Sequence, residues 1–466
     1  MKIKIYNLFV LTIILNLQAE LKNNFHDIYQ LHNTNYPFSF MNQEYKNKLN
    51  SEKIKGISER FQFCVSTVAH TSTKGRNKYK QKVDLGNIHG NLGMIPLMYG
   101  SVPNGQTRAP LLTSATAINF PTWINPATGL TTTPSIATES LVDQKQNFGF
   151  FTVPLKYNKI GARFSSSLRI MNYFELSLHG GICDMKQTCT GLVDQTSKVA
   201  NLDIFPDGSV TTVTSSTVKY VQANVMQNYK AIFTQMGINA DNWQKTGAED
   251  FSAYLTWRCN LPLNIHQDPE DWSQFVLIPH VKIGGTFATA PVRDEDVLFS
   301  LPLGNNGHNA LHASGGFTLD FKDSIELSID GGITKFMDRT ATYRVPTSLY
   351  QSVLFPYKAD MIVSPGSTIH MNIGMHAYHF LDKVSCFCLY TYASHKRDTA
   401  TLTTPNSIFY ANRWADDTAW KVQMAHVGFS YDLAPNLNFG LVWQMPITQR
   451  AAYKANTLQF SAVVTF

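Results

Sequence analysis

The last eleven residues of the chain, Asn456-Thr-Leu-Gln-Phe-Ser-Ala-Val-Val-Thr-Phe466, alternate apolar and polar side chains. One face of this extended segment carries Leu458, Phe460, Ala462, Val464 and Phe466, and the other carries Gln459, Ser461 and Thr465, with Val463 as the exception. A period of two residues predicts a β-strand with one apolar and one polar side. A single strand of this kind does not define a fold. A fold can be predicted only if the same pattern recurs along the rest of the chain.

The same alternation recurs along most of the chain, and it predicts an all-β fold. Residues 148–170 hold two alternating halves, which indicate either a tight hairpin or one long strand with a bulge. The other alternating segments are residues 61–69, 173–182, 251–261, 274–287, 311–321, 324–334, 368–380, 384–394, 418–431 and 437–445.

The connections between these segments give a second signal, because short and long ones alternate. The short set comprises residues 171–172, 322–323, 381–383 and 432–436, with a medium turn at 262–272; the long set comprises 183–250, 288–310, 335–367, 395–417 and 446–455. Tight turns at one end and long loops at the other are typical of transmembrane β-barrels in bacterial outer membranes. Even strand numbers are the rule in such barrels, so we expect about twelve strands, with fourteen as the alternative.

The beginning of the chain has the layout of a secretory signal peptide. A basic start, Met1-Lys-Ile-Lys4, precedes an apolar stretch to Leu17 and a small residue, Ala19, before Glu20. Residues 1–19 are therefore the expected signal peptide, and residues 20–60, rich in Asn and Lys, are the expected poorly ordered periplasmic lead-in. Charged residues make up 15% of the chain, below the roughly 25% of soluble domains, as expected for a barrel in which lipid-facing and inward residues alternate.

The signal peptide, the alternating strands and the terminal aromatic together resemble the porin-like outer-membrane β-barrel proteins of Gram-negative bacteria. The resemblance covers residues 148–466 best and implies a barrel over residues 61–466, with long loops at 101–147 and 183–250. In that family the aromatic end of the last strand is part of the assembly signal, a role that falls here on Phe466. It implies the outer membrane as the location, and membrane lipid and the outer-membrane assembly machinery as partners.

Charged side chains on the strands are expected to face the barrel interior, because an Arg or Lys facing lipid at mid-membrane costs roughly 2–4 kcal/mol. The apolar faces, such as Ile325-Leu327-Ile329 and Ile369-Met371-Ile373, are expected to face lipid. The predicted lumen-lining residues, candidates for the wall of a pore, are Arg163, Arg169, Glu175, His179, Arg258, His280, Lys282, Asp320, Glu326, Asp330, His370 and His376.

Two loop segments bear on whether such a pore is open. Residues 217–236 have apolar side chains at helical spacing, with Gly237 as a stop signal, and predict an amphipathic helix that packs on other loops or constricts the mouth. Residues 102–141, rich in Thr, Pro and Ala, are expected to be an exposed loop or a partial plug. Of the six cysteines, Cys183 and Cys189 are close enough in sequence to suggest a disulfide at the start of a loop.

The sequence favours a channel over an enzyme. His308 near Ser314 and His395 near Asp398 are the candidates for catalytic pairs, but neither lies in a motif of known chemistry. No zinc-type spacing, phosphate loop or nucleic-acid stripe is present, so we expect no cofactor and no nucleic-acid partner. The expected function is passive passage of small polar solutes through a monomeric or trimeric barrel; the alternative is a structural or adhesive surface protein with a plugged barrel and binding outer loops.

Overall fold

The computed structural model describes residues 30–32, 40–42, 61–90, 92–93, 123–124, 131–132, 150–171, 173–194, 229–259, 261–264, 274–321, 324–349, 351–434 and 436–466. Twelve antiparallel strands form a closed barrel. In chain order they are β1 (Phe61–Arg76), β2 (Leu155–Met171), β3 (Phe174–Cys189), β4 (Phe251–Arg258), β5 (Gln274–Phe287), β6 (Ala310–Phe321), β7 (Ile325–Phe336), β8 (Thr368–Leu381), β9 (Val384–His395), β10 (Trp420–Ala434), β11 (Leu437–Arg450) and β12 (Ala452–Thr465).

Each barrel strand pairs with its neighbour in the chain, and the last strand closes on the first. β12 pairs with β1 over almost its full length, from Ala452 opposite Arg76 to Thr465 opposite Gln62. The predicted twelve strands are thereby confirmed, and the alternative of fourteen is wrong. Closure leaves no unpaired edge in the barrel wall, which a sheet within a bilayer requires because lipid supplies no hydrogen bonds.

For residues 148–170 the sequence left two possibilities, and the described part, residues 150–170, contains one long strand and no hairpin. β2 runs without interruption through Tyr157 and Gly161, and a separate short strand, Phe150–Thr152, precedes it. This short strand pairs with Leu92–Gly93 and with Val193–Asp194.

The alternation of side chains follows the predicted faces. On β8, Ile369, Met371, Ile373 and Met375 are exposed on the outer surface, while the residues between them are buried or half-buried. On β12, Leu458 and Phe460 are exposed and Gln459 and Ser461 are buried. Because a slip of one residue would exchange the two faces, this agreement fixes the register of the strands.

The short and long connections lie at opposite ends of the barrel, as expected, with one exception. The turns after β2, β6, β8 and β10 are short and share the end that carries both Phe61 and Phe466, which is the periplasmic end. At the other end, the outer end, the predicted long connection over residues 446–455 is wrong: β11 and β12 meet at Ala451, which has a φ of 50°. Pro446 sits in the paired region at a shift of register, where the missing N–H of a proline is tolerated.

The predicted disulfide between Cys183 and Cys189 is also wrong, because neither residue forms a disulfide. β3 continues past Ile182 to Cys189, so both residues lie on one extended strand. Six residues of strand span about 20 Å, far beyond the reach of a disulfide.

The outer connections fold into a compact layer, which we call the outer cap; it comprises the described residues 77–93, 150–154, 190–194, 229–250, 288–309, 337–367 and 396–419. Its largest sheet joins Arg339–Val345, Tyr357–Ser364 and Thr399–Leu402, and a short helix, Ala411–Ala415, packs against it. The cap also contains the strands Lys82–Asp84 and Trp243–Ala248, which pair with β1 and β3, and the 3-10 helix Leu85–Asn87.

The predicted amphipathic helix falls partly within the described residues. Residues 229–235 are helical, and Gly237 follows with a φ of 68°, in keeping with its predicted role as a stop. Ile232 and Phe233 are buried in the cap's apolar cluster, so the described part packs among outer loops. Residues 217–228 and the Thr/Pro-rich segment 102–141, apart from 123–124 and 131–132, lie outside the described residues, as does the expected signal peptide.

Three further short pairings lie outside the barrel and the cap. Gln30–His32 pairs with Phe40–Asn42 within the expected lead-in, Trp123–Ile124 pairs with Thr131–Thr132, and Leu261–Asn264 pairs with β5 at the periplasmic end. Among the described residues, no helix is long and apolar enough to cross a membrane.

Candidate functional site: the inner wall and the outer cap

The inner wall of the barrel carries all of the predicted lumen-lining residues. Arg169 and His280 are half-buried there, and the others are buried: Arg163, Glu175, His179, Arg258, Lys282, Asp320, Glu326, Asp330, His370 and His376. Charged side chains on this face avoid lipid. They are also largely buried, so they pack against other side chains and do not line a wide water-filled channel.

Several of these side chains meet across neighbouring strands. Asp330 on β7 lies 3.2 Å from Nε2 of His280 on β5 and 3.4 Å from Nε2 of His370 on β8. Asn372 donates to the same carboxylate at 3.2 Å and accepts from Thr391 of β9 at 2.9 Å. One carboxylate therefore organises polar groups from four strands, while Arg258 and Glu175 form a separate buried ion pair between β4 and β3.

A stack of rings lies nearer the outer end. The imidazoles of His312 and His370 are nearly parallel, with centroids 5.5 Å apart, and Tyr254 meets His312 edge-on at 5.4 Å. Lys282 lies 4.6 Å above the ring of Tyr254, within cation–π range. Gly332 makes room for the stack, since a Cβ there would stand 2.5 Å from the His370 ring.

The inner wall also carries an apolar patch on β9 to β11, which the sequence analysis missed. Phe387 and Leu389 of β9, Val422 and Met424 of β10, and Val442 of β11 all face inward and are buried. The signal was present in β9, where Cys386-Phe-Cys-Leu-Tyr390 is apolar on both faces, so alternation did not reveal which face was polar. The inner wall thus has a charged side, formed mainly by β2 to β8, and an apolar patch on β9 to β11, strands whose other inward residues include the buried polar side chains of Thr391, His426 and Gln444.

The outer cap is anchored to the inner wall by a buried group of charges. Glu249, just before β4, binds Lys159 of β2 at 2.5 Å and binds Nε and Nη2 of Arg163 at 2.5 and 2.8 Å. All three side chains are buried. Charge-assisted, partly bidentate contacts of this kind fix position as well as charge, so Glu249 holds the cap in place on β2.

Aromatic contacts continue the anchoring across the outer end. The hydroxyl of Tyr157 on β2 donates to the carbonyl of Phe299 in the cap at 2.7 Å, and its ring packs against Tyr453 of β12. One connected apolar cluster includes cap residues such as Leu85, Phe233 and Leu303 together with the inward residues of β9 to β11. The cap is therefore seated on the barrel opening and does not hang free in solvent.

The two candidate catalytic pairs have different outcomes. His395 and Asp398 do meet, with Nε2 2.9 Å from Oδ1, and Nδ1 of His395 lies 2.8 Å from Oγ1 of Thr368. Thr368, the only hydroxyl that this arrangement offers among the described residues, is 0% exposed, so a substrate has no access to it. His308 bonds through Nδ1 to the carbonyl of Met337 at 2.9 Å and not to Ser314. Both histidines tie cap segments to strand ends.

No three or more His, Cys, Asp and Glu side chains gather in a metal-binding group within the described ranges.

A closed antiparallel barrel of twelve strands, apolar outside and largely polar inside, with short turns at the end that holds the terminal Phe, is an outer-membrane β-barrel. No protein-family model matches the chain, and no curated protein matches it. Among solved structures it is similar to an outer-membrane channel from Pseudomonas putida F1, with a TM-score of 0.44 and 8% identity over 91% of this chain and 100% of that one.

Two further solved structures have lower scores. A FadL homologue from Pseudomonas aeruginosa has a TM-score of 0.26 and 11% identity, over 88% of this chain and 90% of that one. The NanC porin has a TM-score of 0.28 and 8% identity, over 66% of this chain and 93% of that one. The class of this protein rests on the geometry of its own barrel.

Proposed function

We propose that the protein is a gated channel through which small polar solutes cross the outer membrane of a Gram-negative bacterium. The observation that carries the proposal is the sequence of ionisable groups along the inner wall. Asp320, Glu326 and Arg258 stand near the periplasmic end, Asp330 in the middle, and His312 near the outer cap. Such groups are costly to bury and give a passing polar solute successive partners.

The buried state of these groups supports gating over a permanently open pore. Glu249, Lys159 and Arg163 hold the cap on the barrel opening, so solute passage requires the cap or the inner packing to move. The apolar patch on the inner wall, around Phe387 and Met424, provides a surface for the carbon skeleton of an organic solute. Lipid and the assembly machinery are the proposed partners; a monomer and a trimer both fit this proposal.

Conductance of the full-length protein in a planar bilayer is the direct test. Discrete current steps are expected, and Lys282→Gln, on the inner wall, should shift the ion selectivity toward cations. Lys421→Gln is the matched control, because Lys421 is exposed on the outside of β10. A folded barrel that stays silent, or equal selectivity shifts in both variants, would contradict a solute pathway along this wall.

The second candidate function is a surface protein that uses the barrel as a base. The outer cap supports it, since the sheet of Arg339–Val345, Tyr357–Ser364 and Thr399–Leu402 has its own apolar core around Met361 and Val363. Loops that build such a core present a fixed surface to a partner. A silent barrel whose cap variants change attachment of cells, with unchanged solute uptake, would favour this function.

A further inference from the structure

The outer surface of the barrel carries a groove with a volume of about 640 Å³, on the side where β12 closes on β1. One row of paired residues crosses it, from Trp443 of β11 through Leu458 of β12 and Ala69 of β1 to Ile160 of β2. Because Ala69 has a much smaller side chain than its neighbours on both sides, the groove is deepest along β1. Ligand pockets have volumes of roughly 300–1,000 Å³, so this groove has room for a segment of hydrocarbon chain.

A polar row lies directly above the groove, on the side of the outer end. Asn456 of β12 is opposite Thr71 of β1, Thr71 is opposite Asn158 of β2, and Oγ1 of Thr71 donates to Oδ1 of Asn158 at 3.0 Å. Ten residues of β1 separate Thr71 from Phe61 at the periplasmic end. At about 3.3 Å per residue and a tilt of about 40°, they rise about 25 Å, which is the height of the apolar band of an outer-membrane barrel. The polar row therefore lies at the level of the lipid headgroups of the outer leaflet.

Lysines follow the polar row toward the outer end. Lys454 lies two residues beyond Asn456 on β12, and Lys156 lies two residues beyond Asn158 on β2; both lysine side chains are exposed. In the described part of the chain, no carboxylate pairs with either lysine. The outer surface thus changes from apolar to polar to cationic along the two strands that flank β1. A lipid with a phosphate-bearing headgroup has complementary groups in the same order.

The hairpin that follows β1 adds further cations at the same end. Its sequence, Lys74-Gly-Arg-Asn-Lys-Tyr-Lys-Gln-Lys82, has five cationic side chains, of which Lys78, Lys80 and Lys82 are exposed. The turn has a fixed shape, because Oδ1 of Asn77 accepts from two backbone N–H groups of the turn at 3.0 Å. The hairpin therefore presents a high positive charge beside the lysines of β12 and β2.

Like charges face one another across the strands at this level. Lys74 is opposite Lys454, and Arg76 is opposite Lys82. Like charges directly opposite each other on antiparallel strands are destabilising. An anion bound between these strands would remove the repulsion.

Nearby carboxylates do not cancel the positive charge. Asp84 is engaged by Lys74. Asp184 on β3 is matched by Lys186, two residues further along the same outward face. The two lysines above the polar row and the remaining cations of the hairpin therefore stay in excess, and the surface favours an anionic partner.

From the groove, the polar row and the excess of cations above it, we propose that this face of the barrel binds an anionic lipid of the outer leaflet whose headgroup carries phosphate. One acyl chain lies in the groove over Ala69, the polar groups at the head of the chain reach Thr71 and Asn158, and the phosphate lies between Lys156 and Lys454. The lipid thereby bridges β12 and β2 across the strand on which the barrel closes. This site faces the membrane and is separate from the solute pathway along the inner wall.

The test follows which lipid occupies the groove through the fluorescence of Trp443, which borders the groove and is 50% exposed. The full-length protein is reconstituted into bilayers of phosphatidylcholine with brominated acyl chains, which quench an indole on contact. Unbrominated phosphatidic acid is then added in increasing proportion, and the difference between the wild-type protein and Trp443→Phe isolates the signal of Trp443. Trp257, exposed at the periplasmic end of β4, is isolated in the same way with Trp257→Phe and reports a lipid-facing position outside the groove.

We expect phosphatidic acid to displace the brominated lipid at Trp443 with at least about fivefold higher affinity than at Trp257, because nearby lysines attract an anionic headgroup. Added salt should reduce this preference by screening the charges. Unbrominated diphosphoryl lipid A, the probe for a phosphorylated lipid of the outer leaflet, should compete at Trp443 at least as strongly. Soluble glycerol phosphate has the charge without the acyl chains and should not displace the brominated lipid.

Substitutions above and within the groove locate the site. Lys156→Gln and Lys454→Gln should each weaken the preference for phosphatidic acid several-fold, whereas Lys335→Gln, exposed at the outer end of β7, is the matched control. Ala69→Phe should weaken it by filling the groove, and Ala377→Phe on β8 is the control for a bulky residue elsewhere on the outer face. Heat-dependent migration on electrophoresis checks that each variant is folded.

Equal affinity of phosphatidic acid at Trp443 and Trp257 would overturn the proposal, as would equal effects of the Lys454 and Lys335 variants. Displacement by glycerol phosphate would indicate a surface that binds any anion, and lipid A that fails to compete would exclude a lipid of the outer leaflet. If Ala69→Phe fails to fold, the lysine variants decide alone, because the substituted side chains are exposed. A conducting barrel without any lipid preference at Trp443 would leave the proposed channel intact and remove only the lipid site.

Discussion

Phe61 and Phe466 join the first strand of the barrel to the end of the chain. Their backbones exchange two hydrogen bonds, of 2.8 Å from Phe466 N to Phe61 O and 3.2 Å from Phe61 N to Phe466 O, and their ring centroids are 6.0 Å apart. The Phe466 side chain is 64% exposed on the outside of the barrel. The terminal aromatic therefore completes the seam and presents its ring at the periplasmic rim.

Removal of Phe466 should reduce assembly into the outer membrane. The truncated chain loses both seam hydrogen bonds and the exposed ring, whereas Phe466→Tyr keeps all of these except the ring's apolar edge. Surface labelling of intact cells, combined with heat-dependent electrophoretic migration, measures the folded fraction. Normal surface levels for the truncated chain, equal to those of Phe466→Tyr, would show that the terminal residue has no role in assembly.

An arginine on the outer face should be costly in the middle of the membrane and tolerated at the rim. Ile373 is an exposed outward residue paired with Ile329 near the middle of the strands, and Leu311 is 57% exposed at the outer end of β6. We expect Ile373→Arg to cost roughly 2–4 kcal/mol and Leu311→Arg about 0–1 kcal/mol. Urea unfolding in lipid vesicles gives both values, and equal costs would mean that the membrane band is placed wrongly along the strands.

The strands, their faces and the barrel closure could be predicted because each depends on short-range pattern. Alternation at period two fixes which residues share a face, and the order of short and long connections fixes the direction of successive strands. The position of Ile373 on the lipid side follows from its neighbours in sequence, because Ile369, Met371 and Met375 share its face and the polar His370 and Asn372 lie on the other. The predicted strand end after residue 445 falls at Pro446, and a proline marks a strand end more often than a bulge.

The anchoring of the cap and its internal packing could not be predicted because both depend on long-range contacts. Glu249 is 90 residues from Lys159 in sequence, and nothing in the sequence near either residue indicates that they meet. Tyr343 and Trp414 come from different connections, and their proximity arises from how the cap sheet and its helix pack. The apolar patch on the inner wall could not be predicted for a different reason. Residues 386–390 of β9 are apolar on both faces, so alternation did not show which face is directed inward.

Acidification should loosen the outer cap at His308. Burial lowers the pKa of His308 in the folded protein, so near pH 6.5 the exposed imidazole of the unfolded cap binds a proton that the folded cap does not. The contribution of neutral His308 to the stability of the folded cap is therefore complete above about pH 6.5. It is lost as the pH falls through the lowered pKa that His308 has in the folded state. The rate of protease cleavage in the cap should rise between about pH 7.5 and about pH 5.

His308→Asn provides the control for this pH effect. The asparagine amide can donate to the Met337 carbonyl as Nδ1 of the histidine does, but it does not titrate. Its cleavage rate should increase less on acidification than that of the wild-type protein. The same pH dependence in both proteins would assign the effect to other titrating groups.

Glu249→Gln should release the outer cap from the barrel. The substitution leaves the ammonium of Lys159 and the guanidinium of Arg163 buried without their shared countercharge, and loss of one partner from a buried ion pair typically costs about 3–5 kcal/mol. Asp241→Asn is the matched control, because its pair with Lys230 is exposed to solvent and should contribute little to stability. Urea unfolding measures both costs.

The same Glu249 variant tests the gate, because a loosened cap should raise the open probability of the channel in a planar bilayer. Adding Lys159→Gln and Arg163→Gln removes the unpaired charges, so the triple variant should recover much of the lost stability while the cap remains unanchored. High stability together with high open probability in the triple variant would separate gating from unfolding. A triple variant that is stable but opens no more often than the wild-type protein would show that the Glu249 anchor holds the cap without controlling the pore.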